Sequence, residues 1–501
     1  MTARPAVLLI LALAVAPPRA VFGQAAERGT TTYLPSASSP LVALRVVLRV
    51  GSQDDPPGKE GLAALTAAMV AEGGTKDLTY DQILRKFYPM ATDLAHACRK
   101  EVTVFSGLVH RDNLAEYQRL VTTMLTAPRF STEDFDRLRS EATDYLTKIL
   151  RGGNDEELGK WTLQVALYRD HPYGHVDRGT VQGLKAITLD DVKAFHKTHY
   201  TQAALRIGVA GGADEAFVNR FRAGLDPLPD AGAEIPRLPE PRTPSGLEIT
   251  IVKKPADATA ISIGFPIDVT RRDDDFYALA VANSYLGEHR TFNGKLMQDL
   301  RGKRGLNYGD YSYIEDFIQE GGGTFPVPNN PRRQQYFSIW VRPVPHDKAA
   351  FALRAALWEF DRLVNQGMSE ADFEATRSFL LNYSKLWVQT LPRRLGYAMD
   401  GAFYDRDDVV AELTRRLPKL TRADVNDAVR RHLKPRGMAV AIVTRDAEGL
   451  EKALISGSPT PLAYDTQGTP EDVLAEDKTI AALPLKDVTV KIVPASEMFE
   501  K

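Results

Sequence analysis

Two observations predict an α+β fold built from two homologous domains: strands and helices arrive in groups rather than in strict alternation, and one helix–strand unit occurs twice. The unit reads Thr188-x-x-Asp191-Val192, six residues, His199, then Leu205-x-Ile207-x-Val209. It returns as Thr421-x-x-Asp424-Val425, six residues, His432, then Met438-x-Val440-x-Ile442, each pair 233 residues apart. A Thr followed three residues later by an Asp caps the start of a helix, and the alternation after it is that of a strand with one face buried. Repetition at this spacing marks two copies of one domain, each a mixed α/β unit with an antiparallel sheet plus helices.

The elements follow in order. Arg4 precedes an unbroken apolar run of eleven residues, Ala6–Ala16, which Pro17, Pro18 and a small-residue stretch to Ala25 follow. At about 1.5 Å per residue such a run is too short for a hydrocarbon core of about 30 Å. Its three-part form predicts a secretory signal over residues 1–25 and a periplasmic or secreted protein without a membrane span. The first copy occupies 26–225. There Val42–Val50 alternates and stops at Gly51-Ser52, a strand and a turn, and Gly61–Glu72 is a helix closed by Gly73-Gly74. Thr132–Leu150 is a long helix and Leu189–Tyr200 an amphipathic one.

Residues 226–246 carry prolines at 227, 229, 236, 239, 241 and 244, a semi-rigid linker. The second copy, 247–460, opens on a strand at Ala260–Phe265 and a helix at Phe276–Leu286. Helices are expected at Phe292–Lys303, with Gly305 as its left-handed stop, and at Ser369–Val388. A tail, 461–501, holds the alternating Asp487–Val493, an additional strand.

Composition excludes more than it assigns. With 44% hydrophobic and 26% charged residues the chain is an ordinary globular one. Sixty-three basic against sixty-five acidic side chains create no field that attracts nucleic acid. One thiol, Cys98, makes neither a disulfide within the chain nor a cysteine-based zinc site.

The frame Gly61-Leu62-Ala63, Met69 and Gly73-Gly74-Thr75, with the His171–Gly174 segment and Ala482–Leu485, resembles the insulinase/pitrilysin family of zinc peptidases, in particular its mitochondrial-processing-peptidase-like members. That family carries an inverted His-x-x-Glu-His motif on the corresponding helix. The spacing sets two imidazoles on one helix face to clasp a zinc ion, with the carboxylate as base on its bound water. Here those positions read Ala64, Ala67 and Ala68. The distal carboxylate ligand falls near Glu141–Asp144, and Asp144, 76 residues after Ala68, is best spaced. A methyl group has no lone pair, so the resemblance implies no zinc in this chain.

No other cluster substitutes. In His171-Pro-Tyr-Gly-His175 the Pro172 and Gly174 make a turn, and His196 and His199 read as solvated or capping residues. Glu288-His289 lacks a first histidine because Tyr285 stands there. Cys98, near His96, reads as inert core, and Gly321–Gly323 lacks the Lys-Ser/Thr of a phosphate loop.

The second copy keeps what the first has lost. Leu300-Arg301-Gly302-Lys303-Arg304-Gly305-Leu306-Asn307-Tyr308 resembles the family's Leu-Arg-x-x-x-x-Leu-x-Tyr pattern in the non-zinc half, in which Arg and Tyr reach across the cavity to the substrate held at the zinc. The resemblance therefore assigns substrate binding to Arg301 and Tyr308. A guanidinium fork and a phenol both donate to a peptide carbonyl, and losing one oxyanion donor costs an enzyme about 3–4 kcal/mol. The plainer account is an Arg complementing a helix dipole and a Tyr packing on a strand; the matches at Leu300, Gly305 and Leu306 favour the first. Arg304 is expected to share the substrate contact. Tyr308 and Asp310 are expected on one strand face, with Tyr311 and Tyr313 on the other.

The resemblance implies two domains arranged as a clam shell around a polar cavity. It implies a non-catalytic subunit of an exported heteromeric zinc metallopeptidase that binds extended peptide or unfolded polypeptide. Zinc is then expected in a homologous partner subunit, whose active site this chain completes. Two alternatives stay open: a peptide-binding or scaffold protein without proteolysis, and a peptidase with a relocated metal site.

Overall fold

The computed structural model describes residues 30–319, 322–464 and 468–501; the expected signal, 1–25, and Gly321 lie outside the described residues. Strands β1 (Thr31–Pro35), β2 (Leu41–Leu48), β3 (Ala95–Cys98), β4 (Thr103–His110) and β5 (Leu205–Gly211) form one sheet in the order β1-β5-β2-β4-β3. Strands β6 (Gly246–Lys253), β7 (Thr259–Ile267), β8 (Asp310–Tyr313), β9 (Gln335–Val344) and β10 (Gly437–Thr444) repeat that order as β6-β10-β7-β9-β8. The tail supplies β11 (Val488–Pro494), which pairs in parallel with β6 and makes the second sheet six-stranded.

The helices repeat as well: α1 (Leu62–Glu72), α2 (Leu114–Thr126), α3 (Thr132–Asp144), α4 (Asp155–Leu167) and α5 (Leu189–His199) have counterparts α6 (Asp274–Gly287), α7 (Ala349–Gln366), α8 (Glu370–Tyr383), α9 (Leu391–Phe403) and α10 (Arg422–His432). The matched caps are identical. Thr188 and Asp191 exchange hydrogen bonds at the start of α5, as Thr421 and Asp424 do at α10. Such a box satisfies two backbone N–H groups that the first turn leaves unpaired.

The halves are not independent packing units. In β2, Val42, Leu44, Val46 and Leu48 join the core beneath α1, as the alternation predicts. The other face of β2 is also covered: Ala43 and Val47, with Ala210 of β5, pack against Leu395 and Met399 of α9, a helix of the second half. Reciprocally, Leu163 and Leu167 of α4 pack on Ala439 and Ala441 of β10. Each half thus lends one helix to the outer face of the other's sheet. Gly264 on β7 permits the close approach, for a Cβ there would press on Leu163 and on the Phe337 carbonyl. The tail reinforces the exchange: beyond β11, Phe499 enters the first core and Arg151 donates to the Met498 carbonyl at 2.6 Å.

Three elements differ from expectation. The helix from Thr132 becomes π-helical over Tyr145–Gly153, and that from Ser369 tightens to a 3₁₀ turn at Ser384–Val388. The expected Phe292–Lys303 helix reduces to a short turn with a π-helical stretch, Met297–Gly302, because the chain must fold back so that Gly294 abuts Gly287. Gly305 adopts φ +62°, the left-handed stop.

Candidate functional site

A cavity of about 310 Å³ lies between the halves. Its walls are α1, β3, α3 and α4 on one side and the segment Asp316–Ile318 with Tyr336 and Trp340 on the other. Helix α1 presents Ala64, Ala68 and Glu72 to it, three positions four residues apart that share one helix face. Ala67 points the other way and is wholly buried in the first core. These positions do not fit the zinc ion that the family pattern implies, since none offers a lone pair. Among the described residues no group of three or more His, Cys, Asp and Glu side chains is placed to hold a metal.

A charged network stands beside those alanines. Arg137 of α3 donates to Glu141 at 3.1 Å, lies 4.0 Å from a Glu72 carboxylate oxygen and donates to the Glu72 carbonyl at 2.8 Å. Burial, then the neighbouring Glu141, push the Glu72 carboxyl up, while Arg137 and Arg178 pull it down. Across the gap, His96 of β3 lies 3.5 Å from Glu72, yet burial and the Arg178 guanidinium hold it down at about 4, so it is neutral at pH 7. Arg178 itself sits 4.0 Å over the Tyr145 ring. Cys98 lines the cavity as a thiol that burial pushes well up, which makes it a poor nucleophile.

The exchanged helix α4 brings Lys160, Trp161 and Gln164 to the centre of the molecule. The Lys160 ammonium bonds Glu157 at 2.7 Å and lies 3.8 Å over the Trp340 ring. Gln164 Nε2 and Trp340 Nε1 are buried in the wall without an acceptor. Buried donors are normally satisfied, so these two N–H groups are exceptions beside the cavity, and a ligand carbonyl reaches them only if the wall shifts. Strand β3 pairs only with β4 and leaves its outer edge beside the cavity, a place where an extended backbone can add as a further strand.

Several expected site residues fall elsewhere. Asp144 is corrected: it bonds Lys148 at 2.7 Å with about half its side chain in solvent and does not line the cavity, whereas Glu141 does. Arg304 is also corrected. Its guanidinium is fully buried between Asp477 at 2.7 Å and Glu476 at 2.6 Å, a clamp on the tail with no face for substrate. Tyr308 and Asp310 do not share a face, because Tyr308 precedes β8 and is 80% exposed while Asp310 is wholly buried. Neither Arg301 nor Tyr308 is in the cavity wall, and the Arg301 guanidinium lies 5.0 Å over the Phe292 ring.

The remaining histidines have local partners. His171 accepts from the Tyr173 amide and meets the Pro239 carbonyl, His175 pairs with Asp55 at 3.0 Å, and His196 with the Leu125 carbonyl at 2.9 Å. His199 stacks on Phe195, and His289 sits among Tyr311, Tyr313 and Phe317. Sequence reasoning missed Glu72, although its place four residues after Ala68 was a readable signal. It also missed α4, whose role comes from the exchange.

Two family descriptions match the chain: insulinase (peptidase family M16) over residues 31–172 and the peptidase M16 inactive domain over 186–380. An uncharacterised zinc protease of Mycobacterium tuberculosis is 23% identical over 426 residues, covering 83% of this chain and 90% of that protein. A non-peptidase homologue of Helicobacter pylori is 20% identical, covering 81% and 89%. The crystal structure of a peptidase M16 inactive domain from Pseudomonas fluorescens superposes with a TM-score of 0.72 at 22% identity, covering 83% of this chain and 95% of that one.

Proposed function

Because the chain belongs to the M16 (insulinase) peptidase family, we propose that it is a non-catalytic, exported member that binds extended polypeptide and works beside a zinc-bearing homologous subunit. The observation that carries this reading is a cavity kept open beside metal positions that hold only methyl groups, Ala64, Ala67 and Ala68. A chain that had merely lost an enzyme's function would gain stability by filling that space. Instead the wall keeps an open strand edge at β3 and unpaired N–H donors on Gln164 and Trp340. Backbone pairing at such an edge tolerates many sequences, which suits an unfolded polypeptide.

Arg301 and Tyr308 lie outside the chain's own cavity wall, and Tyr308 is 80% exposed. Tyr308 is therefore accessible to a second subunit, and Arg301, half-buried, reaches one by leaving its place over the Phe292 ring. There a guanidinium fork and a phenol orient a peptide and stabilise charge on its carbonyl, while the cleavage chemistry belongs to the partner. The apolar run at Ala6–Ala16 supports export.

The test is to purify the chain alone and with a co-encoded homologue that carries an intact His-x-x-Glu-His motif, then measure zinc and cleavage of a quenched peptide. The chain alone is expected to hold no stoichiometric zinc and to cleave nothing; the complex is expected to hold zinc and to cleave the peptide. Arg301→Ala and Tyr308→Phe should each lower turnover of the complex by about 10²-fold with assembly intact. Robust cleavage by the isolated chain would overturn the proposal, and unchanged turnover in both variants would remove the pair from it.

A further inference from the structure

A second cleft, of about 570 Å³, opens beneath the proline-rich linker and shares no lining residue with the central cavity. Linker residues Glu240–Pro241 and Thr243 form one wall; Pro266 at the end of β7 and Phe403 at the end of α9 form others. The linker is held in place, since its Pro236 carbonyl accepts from Arg333 at 3.0 Å and its Pro239 carbonyl from Gln334 at 2.7 Å.

Four arginines line this cleft, and Arg49 differs from the rest: Arg272 pairs with Asp405 and Arg431 bonds Asp275 at 2.8 Å. Arg333 is fully committed: Nε bonds Glu101 at 2.6 Å, Nη1 the Pro236 carbonyl, and Nη2 the Gln53 side chain at 2.8 Å. Arg49, the residue after β2, makes no side-chain hydrogen bond among the described residues. Its guanidinium lies 5.5 Å over the Phe403 ring and its Nε is buried without an acceptor. Of the carboxylates in its field, Glu101 already accepts from Arg333 and Tyr173, and Asp405 from Arg272. A desolvated guanidinium without an acceptor is costly, and an oxyanion supplied by a ligand removes that cost.

The surroundings choose among anions. Asp405, Glu101 and Asp275 offset the charges of Arg272, Arg333 and Arg431, while Glu240, Asp268 and Asp273 add negative charge to the lining, so a doubly charged phosphate is repelled more strongly than a carboxylate. Phe403, Pro241 and Pro266 offer apolar surface beside the charge. We propose that this cleft receives the C-terminal carboxylate of a polypeptide ending in an apolar residue, with Arg49 as its anchor. The site is separate from the cavity, so the proposal stands whether or not the chain serves a peptidase.

The experiment is anisotropy with a fluorescein-labelled Ala-Ala-Ala-Phe peptide and the full chain. Saturable binding is expected, weakened at least about tenfold when the C-terminus is amidated, the loss of one charge-assisted hydrogen bond. Arg49→Gln should lose a similar factor for the free acid and nothing for the amide, and Arg49→Lys should recover part of it. Thr243→Asp, at an exposed position of the wall, is expected to weaken the free acid through repulsion without disturbing the fold. Equal binding of acid and amide would overturn the proposal, as would unaltered binding to both the Arg49→Gln and Thr243→Asp variants. Equal binding of an amidated peptide with an internal glutamate would overturn the C-terminal assignment. Inorganic phosphate competing better than acetate would overturn the choice of a monoanion.

Discussion

Helices α1 and α6 hold the same place in the two halves, yet one borders a cavity of about 310 Å³ and the other, through Phe276, Ala280 and Asn283, one of only about 50 Å³. Helix α1 turns Ala64, Ala68 and Glu72 toward open space, whereas α6 buries Phe276, Tyr277, Leu279 and Leu286 along its length. The strands beside them differ likewise. The outermost strand of the first sheet, β3, is half-exposed; its counterpart β8 is buried at all four residues, with His289, Tyr311, Tyr313 and Phe317 filling the neighbourhood. One plan therefore leaves either an open or a nearly filled space, and side-chain volume near the first long helix decides which.

The largest expected effect breaks that comparison at α1. Ala67→Glu, the step needed to rebuild the family's base, puts a carboxylate into a fully buried apolar position and should cost about 3 kcal/mol or more. Urea denaturation measures it, and the triple variant Ala64→His, Ala67→Glu, Ala68→His should still bind no stoichiometric zinc while Arg137 holds Glu141.

Next come the exchanged helices. Gly264→Ala should cost about 1–3 kcal/mol through overpacking against Leu163 and the Phe337 carbonyl. Gly208→Ala faces Met399 and Leu395 of α9 instead, flexible side chains that yield more readily, so its loss in the same denaturation assay should be smaller.

A third expectation concerns acid. His96 and His289, one in each half, are held down at about 4 and about 3, chiefly by burial. A depressed histidine contributes stability that is present above its unfolded value near 6.5 and lost as pH falls toward its folded value. Each should therefore remove up to about 1.4 kcal/mol over the first pH unit well below 6.5. Glu72 opposes this, since its raised carboxyl contributes stability at low pH that is lost as pH rises. Comparing unfolding at pH 7 and pH 5 for wild type, His96→Gln and His289→Phe separates the halves; an unchanged acid limb in both variants would deny them the role. The smallest effect is that of Asp144→Asn, an exposed change outside the cavity wall, which should shift stability by no more than about 0.5 kcal/mol.

Much of the fold was legible because it is written locally. The Thr188/Asp191 and Thr421/Asp424 boxes, the alternation of β2, the apolar run of β7 and the left-handed Gly305 each depend on a few neighbouring residues. The site was only partly legible. Spacing favoured Asp144 over Glu141, but α3 passes into a π-helical stretch at Tyr145, and a count of residues does not report which side of a helix meets a cavity. Arg304 looked available because its partners, Glu476 and Asp477, lie in a tail some 172 residues farther along the chain.

The sequence by itself determined that two copies of one α+β domain are present and that α1 carries alanines where a metal site needs lone pairs. Repeats, caps and side-chain chemistry are properties of residues and their near neighbours. Only the tertiary structure decided that the copies exchange α4 and α9, that Glu72, Glu141 and Arg137 meet beside those alanines, and that Arg301 and Tyr308 stand outside the cavity. Those outcomes depend on packing between segments far apart in the chain, where burial and charge pairing select one arrangement among many that the same local patterns allow.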